Sequence, residues 1–225
     1  MTGALLFDLD GTLIDSRRSI ALACNHALVR SGRAELPEDT IAGFVGDGAR
    51  LLLARAAGLP ATGAGELDVL LADFVRFYAA HPIDGTTWMP GAEGALAALG
   101  KGGWKLGLVT NKARAITLPI LGALGVADRF AVVVAGGDGP LKPDPAPILA
   151  ATRALGVAPV HTWVVGDAVQ DVRAGKAAAC HTVAVLGGFQ TEARLRAEAP
   201  DLVLGSLAEL AGALAGATAA PRSPA

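Results

Sequence analysis

The sequence predicts an α/β fold: a doubly wound, Rossmann-like parallel sheet core with an inserted helical cap domain. Three observations predict it. Five short apolar runs, ALLF (4–7), LGLV (106–109), AVVVA (131–135), TWVV (162–165) and TVAVL (182–186), each stop at a polar or turn residue, as strands buried on both faces do. Helical stretches over 92–102, 113–124, 146–155 and 169–179 separate the later runs, and such alternation builds parallel sheets. Between Asp15 and Asp84 the rhythm breaks, because that segment carries helical periodicity and no strand-like run.

Taken in order, the first run delivers Asp8 and Asp10 in FDLDGT, and Gly11 permits a sharp turn after them. The segment 15–84 follows. Ile20, Cys24, Ala27 and Leu28 share one helix face, and Leu67, Leu70, Leu71, Phe74 and Tyr78 share another. An insertion after the first strand lies over the carboxyl ends of the strands, where open α/β sheets bind ligands. The second run ends at Thr110-Asn111, and Lys142 follows the third in GPLKPDP. There Asp144-Pro145 reads as an N-cap followed by proline at the first helical position. The fourth run delivers Asp167, with Asp171 one helical turn later. The expected domains are therefore 1–14 plus 85–215 for the core, 15–84 for the cap and 216–225 for a loose tail.

Composition narrows the function classes. With 52% hydrophobic and 18% charged residues the chain is not disordered, and at 225 residues it fills one large domain or two small ones. Nineteen basic residues against 21 acidic ones, with no basic stripe, argue against nucleic acid as a partner. The longest run free of Asp, Glu, Lys and Arg, 177–191, is too short to span a membrane. Residues 1–10 lack a basic start and carry Asp8 too early for a signal peptide. Cys24 and Cys180 form no CxxC pair, and a reduced, cytoplasmic compartment is the simpler reading. The four histidines are scattered, so no zinc cluster is expected. A monomer or homodimer is expected.

If the runs are parallel neighbours, the side chains at their ends gather at one sheet edge. Two unit charges 4 Å apart interact by roughly 4 kcal/mol at an effective dielectric of 20. Crowded carboxylates therefore call for a cation or a proton. All the donors are oxygens, with no His or Cys, which favours Mg²⁺ over zinc. A phosphate would add negative charge, for which Lys142 and the Thr110 hydroxyl are counterweights, so the equipment suits phosphoryl transfer. Asp8 is placed to act as nucleophile, and Asp10 to protonate the leaving oxygen and then deprotonate water.

DLDGTLIDS (8–16), VTNK (109–112), LKPDP (141–145) and GDAVQD (166–171) resemble the four ordered motifs of the haloacid dehalogenase-like hydrolase superfamily. The resemblance covers nearly the whole chain. It implies Asp8 as nucleophile and Mg²⁺ ligand, and Asp10 as acid–base with its backbone carbonyl on the metal. It implies Asp167 as a further ligand, and Asp171 as support from outside the coordination shell. Thr110, Asn111 and Lys142 would hold the phosphoryl group. Ala168 departs from the hydroxyl residue often found there, which removes a helper contact. Asp10 favours phosphoryl transfer over dehalogenation, and the absence of lysine from 15–84 disfavours Schiff-base phosphonate chemistry. Thr12, where mutases of this group commonly have valine, favours hydrolysis.

FVGDGARLLL (44–53) and GGDGPLKPDPAPIL (136–149) look like the phosphoglycolate phosphatase branch. Gly46-Asp47-Gly48 followed by Arg50 then reads in one of two ways. It is a cap loop whose Arg50 meets a substrate carboxylate, or a helix-capping turn with a surface arginine. The expected activity is Mg²⁺-dependent hydrolysis of a small phosphorylated metabolite, 2-phosphoglycolate first among them. The alternatives are a phosphatase or phosphomutase for a sugar or nucleotide phosphate and, outside the enzymes, a phosphorylatable receiver-like signalling module. In receivers the acidic pair comes early and the phosphorylated Asp later, the reverse of this order.

Overall fold

The structure, a computed structural model, describes residues 3–62 and 65–217. In chain order it contains β1 (Ala4–Phe7), β2 (Ile14–Asp15), α1 (Arg17–Arg30), α2 (Glu38–Ala42), α3 (Ala49–Ala57) and α4 (Glu66–Ala80). Then come β3 (Thr87–Trp88), α5 (Ala92–Lys101), β4 (Lys105–Ala113), α6 (Arg114–Ala123), β5 (Val132–Gly136) and α7 (Ala146–Leu155). The chain continues through β6 (Thr162–Gly166), α8 (Val169–Ala177), β7 (His181–Val185), α9 (Glu192–Ala197), β8 (Leu202–Leu204) and α10 (Leu210–Ala217).

Six strands form one sheet in the order β5-β4-β1-β6-β7-β8, every neighbouring pair parallel. All four residues of β1 are fully buried, as the continuous apolar run ALLF requires of a central strand. Its pleat sends Leu5 and Phe7 to one face, with Leu108, Val165 and Ile120. Ala4 and Leu6 point to the other face, with Ile148, Ala151 and Ala174 of α7 and α8. From β1 the chain goes first to β4 on one side and later to β6 on the other, so the strand order reverses at β1. A crevice opens at the carboxyl ends of β1, β4 and β6, the place where such sheets take ligands.

Four helices, α1 to α4, lie between β2 and β3. The two connections to the sheet meet as a two-stranded antiparallel ribbon, Ile14 opposite Trp88 and Asp15 opposite Thr87. Strand β8 and this ribbon were not expected. LVL is too short to show a period, and a two-residue bridge carries no hydrophobic pattern. The helix expected from Asp144-Pro145 starts at Ala146, whose N–H donates to the Asp144 carboxylate at 2.7 Å. Helix α10 takes in 216–217, the first two residues of the expected tail; the rest, 218–225, lie outside the described residues. Cys24 and Cys180 are both buried, and neither is joined in a disulfide. Among the described residues no helix is long and apolar enough to cross a membrane.

Candidate active site

The crevice holds the polar residues that the strand ends deliver. Asp8 follows β1, its N–H donating to the Val165 carbonyl at 2.9 Å. Asp167 follows β6 and Asp171 lies in the first turn of α8. Carboxylate oxygens of Asp8, Asp167 and Asp171 lie within 4.8 Å of one another. Lys142, buried, donates to Asp8 Oδ1 at 2.8 Å, to Asp171 Oδ1 at 2.6 Å and to the Val109 carbonyl at 2.6 Å. Its peptide bond to Pro143 is cis. Two glycines make room for the acids. A side chain on Gly188 would strike the Asp167 carboxylate, and one on Gly166 would strike that of Asp171. Gly11, at φ +80°, turns the chain after Asp10 where a side chain would meet Asp167 and Phe189.

Asp167 accepts from the Thr12 hydroxyl at 2.7 Å and from the Phe189 N–H at 2.8 Å. Burial pushes its carboxyl up to about 8, with the charges of Asp8 and Asp171 adding to the rise against those two bonds. Burial also lifts Asp171, to about 6, although Lys142 pulls it down. Burial opposes the charge of Lys142, but Asp171 and Asp8 outweigh it and hold the ammonium above the ordinary lysine value. Three carboxyl groups, two of them paired with one ammonium, offer a cluster of oxygen donors. That donor set fits a divalent cation.

Asp171, expected as a supporting residue, thus stands within the carboxylate cluster, and the Asp10 carboxylate stands outside it. Asp10 accepts from Lys112 Nζ at 2.9 and 3.1 Å on its two oxygens, and from the Ser16 hydroxyl at 2.6 Å. Thr110 is buried and lines the cavity. Asn111 lines it too, but its side-chain amide is committed to backbone. It donates to the carbonyls of Gly46 at 2.9 Å and Lys142 at 2.8 Å, and accepts from the Lys142 N–H. Its side chain therefore holds loops together rather than presenting a free donor. Ala168 carries no capping hydroxyl; its own N–H donates to Asp171 Oδ2 at 3.1 Å.

Arg50 is not brought to the cluster. It pairs with Asp68 at 2.7 Å and donates to the Ala61 carbonyl at 3.1 Å. In α3, Ala49 and Leu52 share the face that lines the cavity, and position 50 lies about 100° round the helix from Ala49. Of the two readings of this turn, helix start and surface arginine is the one seen, with Gly48 as the N-cap at φ +87°. The loop itself does reach the core. Gln170 donates to Asp47 at 2.8 Å, and Gln190 donates to Gln170 at 3.0 Å. Apolar side chains of the insert, Ile20, Val45, Leu52 and Phe74, wall the cavity opposite the acids.

Sequence reasoning did not single out Thr12, Ser16, Lys112, Gln170 or Phe189 as site residues, and it read Tyr78 only as a core position. Signals existed for two of them. Lys112 is a lysine inside the quoted VTNK run. Tyr78, the sole tyrosine, sits on an apolar helix face, where a buried phenol needs a polar partner.

A family profile described as haloacid dehalogenase-like hydrolase matches residues 5–185. Proteins named phosphoglycolate phosphatase resemble the chain over most of their length. The one from Rhodospirillum rubrum is 39% identical over 202 residues, 85% of this chain and 83% of its own. That from Nitrosospira multiformis is 38% identical over 190 residues, 83% and 84% of the two chains. That from Escherichia coli is 33% identical over 230 residues, 92% and 90%. The crystal structure of a predicted phosphoglycolate phosphatase from Haemophilus somnus superposes with a TM-score of 0.86 at 27% identity, covering 95% of this chain and 98% of that one. The ordered motifs, the sheet that gathers them and these likenesses agree: the chain belongs to the haloacid dehalogenase-like hydrolases, in their phosphoglycolate phosphatase-like branch.

Proposed function

We propose that this phosphoric monoester hydrolase is a Mg²⁺-dependent phosphatase of small phosphomonoesters, with 2-phosphoglycolate as its substrate. The observation that carries this is the buried cluster of Asp8, Asp167 and Asp171 with Lys142 bridging two of its members. The names and coverage of the relatives support the substrate. Asp8, Asp167 and Asp171 would hold the Mg²⁺, with the backbone at Asp10 beside them. When bound, the ion neutralises the cluster and lets a phosphate dianion enter.

The residues then divide the work. An Asp8 oxygen attacks phosphorus and forms a phosphoaspartate as the bond to the leaving oxygen breaks. Asp10 gives that oxygen its proton, then takes one from the water that attacks phosphorus and frees Asp8. Lys142 and the Thr110 hydroxyl hold the phosphoryl oxygens. The helices α1 to α4 act as a cap whose apolar wall excludes bulk water. Two buried cysteines that are not joined in a disulfide favour a cytoplasmic setting.

The test is phosphate release from 2-phosphoglycolate, sugar phosphates and nucleoside monophosphates, with and without Mg²⁺. Repeated turnover that needs Mg²⁺ and prefers 2-phosphoglycolate is expected. Preference for another ester removes the substrate assignment, and one phosphate per chain removes the phosphatase.

A further inference from the structure

The geometry points to Lys112 and Tyr78 as a positioning pair that holds the Asp10 carboxylate in place only while α4 is seated on the core. The inference rests on the reading of Asp10 as the acid–base group. Lys112 lies near the end of β4, buried, and its ammonium has three N–H donors. It donates to both oxygens of Asp10 and, at 2.9 Å, to the Tyr78 hydroxyl. The same ammonium lies 4.1 Å from the centre of the Tyr78 ring. Asp10 and Lys112 belong to the core, whereas Tyr78 belongs to α4 of the insert.

The remaining bond to Asp10 also comes from a connection between the two parts. Ser16 stands just before α1 and donates to Asp10 Oδ1. Three residues on, Ser19 donates to the Asp84 carbonyl at 2.7 Å and meets the Thr86 hydroxyl at 2.6 Å, which ties the outgoing connection to the returning one. The donors to the Asp10 side chain are thus a lysine clamped by α4 and a serine at the crossing. If α4 moves off the core, the Tyr78 hydroxyl leaves Lys112, and its third N–H turns to water. The ammonium then has to turn, and Asp10 loses its fixed orientation.

The test compares kcat/KM for phenyl phosphate, whose leaving oxygen is strongly basic and needs a proton, with that for 4-nitrophenyl phosphate, whose leaving oxygen is weakly basic. This parameter reports the steps through leaving-group departure. Asp10→Asn is expected to lose about 100-fold or more on phenyl phosphate and far less on 4-nitrophenyl phosphate. Lys112→Met is expected to show the same preference. Tyr78→Phe, which keeps the ring in the core, is expected to lose about 3- to 10-fold on phenyl phosphate and less than about twofold on 4-nitrophenyl phosphate. In an Asp10→Asn background it should add nothing. Equal losses on both esters, or a Tyr78→Phe loss that adds to that of Asp10→Asn, would overturn the proposal and leave the acid–base reading standing. No leaving-group preference in Asp10→Asn would overturn the acid–base reading and the proposal together. If Lys112→Met does not fold, Tyr78→Phe decides alone.

Discussion

Two buried lysines each meet one carboxylate of the Asp8 and Asp10 pair, and their surroundings differ. Lys142 bridges Asp8 and Asp171, with Asp167 close by and, among the described residues, in no ion pair. Lys112 meets one carboxylate, Asp10, and fills its third bond with a neutral phenol. The first site is short of positive charge; burial first, and then the charges of Asp8 and Asp171, raise the Asp167 carboxyl to about 8. The second is balanced. A shortage of positive charge invites a cation from outside, whereas a balanced pair fixes geometry. Neighbouring acids two residues apart thereby serve different ends: Asp8 sits where charge is received, Asp10 where orientation is held.

Substitutions can break this contrast, and they fall in order of size. Asp8→Asn, measured by phosphate release with Mg²⁺, should lose about 10⁴-fold or more, because it removes the proposed nucleophile. Asp10→Asn should lose about 100-fold or more in the same assay, the usual scale of acid–base catalysis. Near-normal rates in either variant would erase the distinction between the sites.

The next effect concerns stability. The Asp167 carboxyl sits at about 8 in the folded chain against an ordinary 3.8. Between those values the folded state keeps a proton that the unfolded state has released, so stability falls as pH rises. The slope from this one group is at most about 1.4 kcal/mol per pH unit. Asp167→Asn lacks it. Urea unfolding in EDTA at pH 5 and pH 7.5 should therefore show the variant gaining on the wild type as pH rises. Added Mg²⁺ should stabilise the wild type more at pH 7.5 than at pH 5, because ligands must be deprotonated to bind. Parallel pH profiles would deny that the folded chain holds the Asp167 carboxyl above its ordinary value.

The smallest effect belongs to Arg50→Ala. Its partner Asp68 is exposed, and Arg50 does not line the cavity. The preference for 2-phosphoglycolate over a sugar phosphate should stay unchanged, with only a slight fall in Tm. A sharp loss of that preference would show that the arginine reaches the substrate after all.

How far the sequence was legible follows from the same contrast. Asp8, Lys142, Asp167 and Asp171 each stand beside an apolar run or a marked turn, so local pattern was enough to bring them to one edge. The five apolar runs became strands for the same reason. LVL at 202–204 was too brief to register. The partnership of Lys112 with Tyr78 spans 34 positions and depends on how α4 packs against the core, which no local period encodes. Helical phase, rather than the glycines around it, decides where Arg50 points. Asn111 looked like a donor for substrate because nothing in VTNK reveals that its amide is taken by two backbone carbonyls.

The most direct test of the account is to catch the covalent intermediate. Asp10→Asn, mixed with Mg²⁺ and 4-nitrophenyl phosphate and quenched in acid, should retain a phosphoryl group. Peptide mass spectrometry should place that group on Asp8. A phosphoryl group on any other residue, or none in a variant that still releases nitrophenol, would contradict it.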